Sequence, residues 1–302
     1  MDDSRLKKTS LGYFELVDKP TLKELNEYYA NKYYQQGMGQ YEISYDEDEL
    51  KYIILKIKQR TFIVDKFLKR AKGKLLDVGC GEGFTLKHYF EKKWQVKGVD
   101  FSRAGLEQQN PDMLDYVDVG DIYEILNGYI EHNKQYDVIC MNGILEHVID
   151  PVKLLKDIKK LIARRGIAVI TVPNDCSNLQ EHCFENKMIP HRFWITLPDH
   201  LSYFSYESLN NIVDYTGWSF VDAIADFPID LYLLHPESNY IYDDSRGPAA
   251  HRARIQTELL LSDRNIDDVV SHYRAMAKVG LGRALTAFIM NKSPKNNHTD
   301  KK

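Results

Sequence analysis

A doubly wound α/β fold, with a parallel sheet covered by helices on both faces, is predicted by three features of this chain. The run Lys74-Leu-Leu-Asp-Val-Gly-Cys-Gly-Glu-Gly83 is a short apolar strand that reaches Asp77 and breaks into three glycines before an amphipathic segment. The run Gln95-Val-Lys-Gly-Val-Asp100 is a second strand that ends in a carboxylate. From residue 73 onward the hydrophobic period then switches repeatedly between strand and helix, the pattern of a parallel sheet with helical crossovers.

Residues 1 to about 72 are polar and tyrosine-rich, with Leu22, Leu25, Tyr28 and Tyr29 at helical spacing and a second helical pattern from Leu50 to Leu68. They predict a helical N-terminal extension. Strands follow near 74–78, 95–100, 115–118, 136–141 and 166–172, with helices between them. After Pro173 a polar and aromatic segment, 174–204, interrupts the alternation. Ser205 to Thr216 then reads as a helix with Ser205 as its N-cap, and Trp218 to Phe227 as a sixth strand. The stretch 228–280 is mixed and ends in an amphipathic segment near Ile266 to Ala277. Gly282 to Met290 reads as a seventh strand, and 293–302 as a disordered polar tail.

With 302 residues, the chain can form one α/β domain with extensions. A net charge of -4 and a pI near 6.2 supply no broad basic field, so nucleic acid is not the expected partner. Cys80, Cys140, Cys176 and Cys183 lack the spacing of a secreted disulfide scaffold, and no apolar stretch reaches membrane-spanning length. A soluble cytoplasmic protein is expected, with a homodimer as an open option.

The glycine turn and the acid at 100 lie at strand C-termini, where open α/β sheets bind ligands. Glycine lets backbone approach a ligand closely, the opening turn of the next helix offers unpaired N–H groups, and an acid ending the second strand suits a ribose diol. A nucleoside-bearing cofactor follows. A dinucleotide fingerprint would need its third glycine where Phe84 stands, and no Gly-Lys-Ser/Thr phosphate loop is present. The observed form is Asp-x-Gly-x-Gly-x-Gly. It resembles the first motif of the class I S-adenosylmethionine-dependent methyltransferases. The resemblance continues at Asp100, at Asp118-Val-Gly-Asp121, at Tyr136-Asp-Val-Ile-Cys-Met-Asn142 and at Leu145-Glu-His-Val148 with Pro151, in the family's order.

That resemblance implies a Rossmann-like seven-stranded sheet whose sixth and seventh strands are antiparallel. The stretch 228–280 then becomes a large insertion, expected with 174–204 to build the acceptor pocket. It also implies S-adenosylmethionine as cofactor and S-adenosylhomocysteine as product. Gly79 and Gly81 would lie against the methionine part, Asp77 would orient its ammonium, and Asp100 would hold the ribose hydroxyls. Phe101 would lie against adenine, Asp121 would accept from its amino group beside Ile122, and Met141 and Asn142 would sit under the sulfonium. Tyr33 or Tyr34, in Tyr28-Tyr29-Ala-Asn-Lys-Tyr33-Tyr34, is similar to tyrosines that fold over this cofactor in relatives; packing onto the core is the alternative for these rings.

Methyl transfer to a hydroxyl needs alignment and a group to take the proton. His200, in Pro198-Asp-His-Leu-Ser-Tyr-Phe204, is the first candidate because Asp199 and Tyr203 adjoin it; His147 and His191 follow. Asn/Asp-Pro-Pro-Tyr/Phe after the fourth strand, the mark of enzymes acting on nucleobases or glutamine, is replaced by Met141-Asn-Gly-Ile144. Metal is not expected: Asn142 stands where catechol-type enzymes carry an acid, although Asn174-Asp175 follow the fifth strand, and Cys176, His182, Cys183 and His191 lack zinc-site spacing.

Three functional readings result. In the first, a polar small molecule such as a sugar, a nucleotide sugar or a surface-glycan precursor is O-methylated, with Arg252 and its neighbours Arg246, His251 and Arg254 receiving an anionic group and Tyr203 and His191 lining the site. In the second, the acceptor is a phenolic quinone precursor, since Leu145-Glu-His-Val148 also resembles ubiquinone-pathway O-methyltransferases. In the third, the protein is a non-catalytic cofactor-binding partner subunit.

Overall fold

The computed structural model describes residues 3–28 and 44–292. The chain opens with β1 (Leu6–Lys8), β2 (Phe14–Leu16) and α1 (Leu22–Tyr28), followed by the long α2 (Glu47–Leu68). The sheet domain is β3 (Lys74–Val78), α3 (Phe84–Glu91), β4 (Gln95–Asp100), α4 (Ala104–Gln109), β5 (Val117–Val119), α5 (Ile122–Glu131), β6 (Tyr136–Asn142), α6 (Pro151–Leu161) and β7 (Ile162–Pro173). It continues with α7 (Asn178–Glu185), β8 (Ser202–Tyr203), α8 (Tyr206–Tyr215), β9 (Trp218–Ala225), α9 (Gly247–Ser262), α10 (Ile266–Lys278) and β10 (Ala284–Asn291).

Seven strands form one sheet in the order β5-β4-β3-β6-β7-β10-β9. The first five are parallel, and β10 runs antiparallel between β7 and β9. This is the architecture the motifs implied. Because neighbouring residues of a strand point to opposite faces, Leu75 and Val138 join one apolar layer with Ile63, Val64, Leu86 and Tyr273, while Leu76 and Ile139 join another with Leu154, Ile158, Ile212 and Trp218.

The N-terminal extension is not purely helical. β1 and β2 form a hairpin, and β2 pairs with β8 in a separate three-stranded sheet. A three-residue strand carries too little alternation to be recognised from hydrophobic period alone. Helix α2 begins on a capping box between Asp46 and Glu49 and ends where Lys69 turns left-handed. The segment expected as a pocket insertion divides in two. Helix α10 packs against β9 and buries Val270 and Tyr273 in the sheet layer, so it is framework, whereas α9 lies along α2. Among the described residues, no helix is long and apolar enough to cross a membrane.

Candidate functional site

The glycine turn sits at the C-terminal end of β3. Gly79 has φ +70° and donates to Val99 O at 2.7 Å, which folds the turn back onto β4. A methyl group on Gly79 would lie 1.9 Å from Ile144 Cδ1. Glycine is required here by both the left-handed backbone and the close approach of the loop that follows β6. Asp100 is buried and braces the same turn: its Oδ2 accepts from Gly81 N at 2.7 Å and its Oδ1 from Ser102 N at 3.0 Å. Tyr45 reaches the turn from the extension, donating to Glu82 at 2.9 Å, with its ring 6.0 Å from that of Phe84.

Asp77 is 2 % exposed, and its Oδ1 has no hydrogen-bond partner among the described residues. Burial pushes its carboxyl up to about 7, against the opposing pull of the Arg60 guanidinium and with the help of the Asp100 charge. Arg60 comes from α2 and donates to Asn142 Oδ1 at 2.8 Å; Thr171 Oγ1 donates to the same oxygen at 3.1 Å. Asn142 is therefore oriented at the end of β6.

Around this turn the other expected cofactor residues fall at or beside the strand ends. Phe101 is half-buried and packs against two apolar clusters. Asp121 caps α5 by accepting from Glu124 N at 3.0 Å, with Ile122 buried behind it. Met141 is fully buried in the core below the strand end. Tyr33 and Tyr34 lie outside the described residues.

Beyond β6, residues 143–148 form a loop anchored by Gly143 N to Thr171 O at 2.9 Å. Glu146 O accepts from both Leu201 N at 2.8 Å and Ser202 N at 3.1 Å, which draws the segment bearing His200 onto this loop. The rings of His147 and His200 meet edge to face, with centroids 4.9 Å apart. His147 Nδ1 lies 2.8 Å from Asp199 O, and its Nε2 lies 3.8 Å from Glu146 Oε1. His200 Nδ1 lies 3.5 Å from Asp175 Oδ2, and Asp175 is paired with Arg283 at 2.7 Å.

Burial alone would lower the His147 pKa, but its hydrogen bond to Asp199 and the Glu146 charge outweigh burial and push it up to about 9. Burial raises Glu146. For Asp175 burial is opposed and exceeded by Arg283 and His200, which hold it below the usual carboxylate range.

Two sequence-derived histidines are thus brought together and the third is not. His191 is exposed on the loop after Pro190. Tyr203 is 1 % exposed and donates its hydroxyl to His200 O at 3.0 Å, so it supports His200 instead of lining an acceptor site. Arg252 is exposed and bridges Asp46 at 2.8 Å and Asp48 at 2.7 Å, so its charge ties α9 to the start of α2 and does not await an anion. Arg246 pairs with Asp243, and Arg254 lies against His251 and over the Tyr52 ring. Sequence reasoning missed Arg60, Tyr45 and Ile144 as site residues, and treated Asp175 only as one half of a possible acidic pair. No local motif marks them, since each acts on a partner far away in the chain.

A family model described as a methyltransferase domain matches residues 47–223. A ubiquinone biosynthesis O-methyltransferase of Actinobacillus pleuropneumoniae is 28% identical over 121 residues, covering 37% of this chain and 52% of the relative. One of the same description from Saccharophagus degradans is 31% identical over 109 residues, covering 35% and 46%. The chain spans about half the length of the curated relatives it matches. Among solved structures, a SAM-dependent methyltransferase from Archaeoglobus fulgidus aligns with a TM-score of 0.49 at 20% identity, covering 79% of this chain and 93% of its own.

Proposed function

Because the chain belongs to the methyltransferase-domain family, of the class I S-adenosylmethionine-dependent kind, we propose that it methylates a hydroxyl of a small phenolic molecule. The residues at the strand ends fit the cofactor. Asp77 keeps a buried carboxylate oxygen without a partner among the described residues, as the ammonium of the methionine part requires. Asp100 is fixed by two backbone N–H groups at the end of β4, the position from which an acid reaches a ribose diol. When bound, S-adenosylmethionine supplies a methyl carbon activated by positive sulfur, so that the C–S bond breaks, leaving its electron pair on sulfur, as the acceptor oxygen forms the new C–O bond.

The observation that carries the acceptor side is the edge-to-face pair His147 and His200 beside the buried Glu146. Glu146 and His147 lie on the loop that Ile144 seats against Gly79, and His200 on the segment hydrogen-bonded to that loop. A hydroxyl must be aligned and relieved of its proton, and imidazoles beside carboxylates suit both tasks. A phenol is favoured over a sugar phosphate because Arg252 and Arg246, expected to receive an anion, are paired within the chain. The names of the curated O-methyltransferase relatives support the same choice.

The test is S-adenosylhomocysteine titration followed by a labelled-methyl screen of dihydroxyaromatic compounds, sugar phosphates and amines. Transfer to an aromatic hydroxyl is expected. His200→Ala should leave S-adenosylhomocysteine affinity within about threefold and lower turnover by about 100-fold or more. Transfer to an amine or a sugar alone, or full turnover in His200→Ala, would overturn the reading.

A further inference from the structure

We propose that Glu146, His147 and His200 form a site for one divalent transition-metal cation that binds the acceptor hydroxyl. Each offers a ligand atom, and these atoms all lie within 4.8 Å of one another. Two bonds of about 2.1 Å span about 4.2 Å at most, so one ion bridges the group after side-chain shifts of under about 1 Å.

Two observations support a built site over a chance cluster. Glu146 is 2 % exposed and His200 7 % exposed, and Glu146 Oε2 has no hydrogen-bond partner among the described residues. The imidazole of His147 is oriented from behind by the hydrogen bond between its Nδ1 and Asp199 O at 2.8 Å. His200 turns its Nδ1 toward Asp175 Oδ2 at 3.5 Å, longer than a hydrogen bond, and Asp175 is itself paired with Arg283. Carbonyl and carboxylate partners on the far nitrogen are the usual supports of metal-bound histidine, leaving Nε2 to the metal.

Two imidazoles and one carboxylate favour manganese, iron, cobalt or zinc over magnesium or calcium, and leave coordination positions open. An acceptor hydroxyl taking one of them is acidified and releases its proton to solvent, so its oxygen meets the methyl carbon as an anion. This rests on the proposed O-methylation and specifies its agent: His147 and His200 act as ligands, and the cation replaces a free histidine base.

The experiment uses the full-length protein after chelator treatment, titrated with Mn²⁺ by electron paramagnetic resonance and with Co²⁺ by visible absorption, with S-adenosylhomocysteine binding measured in parallel. One saturable Mn²⁺ per chain is expected. Glu146→Gln and His200→Ala should each weaken it at least about tenfold, and Asp175→Asn by about 10–100-fold, while S-adenosylhomocysteine binding persists. No saturable Mn²⁺ or Co²⁺ in wild-type protein that binds S-adenosylhomocysteine overturns the site, as does Mn²⁺ binding unchanged in both ligand variants. Mn²⁺ lost with those variants, in a wild type that ignores S-adenosylhomocysteine, upholds the cation site and defeats the methyltransferase reading instead.

Discussion

Substituting Gly79 by alanine tests the packing of the two loops that frame the site. The new methyl would stand 1.9 Å from Ile144 Cδ1 and 2.6 Å from Cγ1, but 3.9 Å from Cβ. Carbon atoms settle at about 3.5–4.0 Å, so the two outer carbons of Ile144 must move while Cβ need not. The left-handed backbone of residue 79, at φ +70°, costs a side chain about 1–2 kcal/mol. Relieving the overlap costs about 1–3 kcal/mol more. Gly79→Ala should therefore lose about 2–5 kcal/mol in urea unfolding and bind S-adenosylhomocysteine more weakly. Ile144→Ala removes the clashing atoms and keeps Cβ, so the double variant should show only the backbone cost beyond that of Ile144→Ala alone. The cycle should yield a favourable coupling of about 1–3 kcal/mol, the overlap cost. Additive losses, or a single Gly79→Ala loss below about 0.5 kcal/mol, would refute the argument that Ile144 fills the space above this turn.

Three further outcomes are expected. Asp77, with its carboxyl raised to about 7, binds a proton in the folded protein that the unfolded chain has released above about 4, so this group's contribution to stability declines as pH rises from about 4 to 7. Pairing with the cofactor ammonium requires the ionised form, so calorimetry should show S-adenosylhomocysteine affinity rising about tenfold per pH unit below 7 and levelling above it; a flat profile would contradict the burial argument. Arg283→Met removes the partner of Asp175, which is 1 % exposed, and should cost about 3 kcal/mol in denaturant unfolding. Asp100→Ala frees the N–H groups of Gly81 and Ser102 and should weaken S-adenosylhomocysteine at least about tenfold by calorimetry, the cost of two charge-assisted hydrogen bonds; unchanged affinity would mean the ribose lies elsewhere.

The strand ends proposed to hold the cofactor were legible because they are local. Asp77, Gly79, Gly81 and Asp100 lie on two consecutive strands and one turn, and a periodic apolar strand broken by glycine leaves a clear mark in the sequence. The end of β6 was equally plain, but what orients it was not: Arg60 reaches Asn142 from a helix 82 positions away. The first residues of β7 were missed because Arg164 and Arg165 are exposed and interrupt the apolar run before Gly166. Arg252 was misread since a basic cluster in sequence does not reveal the acids of α2 that pair with it. His200 was found as a candidate, yet its approach to His147 depends on Glu146 O accepting from Leu201 and Ser202, which no local pattern encodes.

The small sheet of β1, β2 and β8 has a consequence for how this enzyme family member can change. Residue 200 is moored by a hairpin near the start of the chain, by the loop after β6 and by Asp175 after β7. The residues proposed to hold the nucleoside, Asp100, Phe101, Asp121 and Ile122, lie instead on and after β4 and β5, away from that hairpin in the chain. With His200 in its proposed acceptor role, alterations in the first 16 residues are expected to act on the choice of acceptor more than on donor affinity. A variant lacking the hairpin should behave as a sound donor-binding protein with a blurred choice of acceptor, so the opening of the chain is a natural place for substrate range to drift.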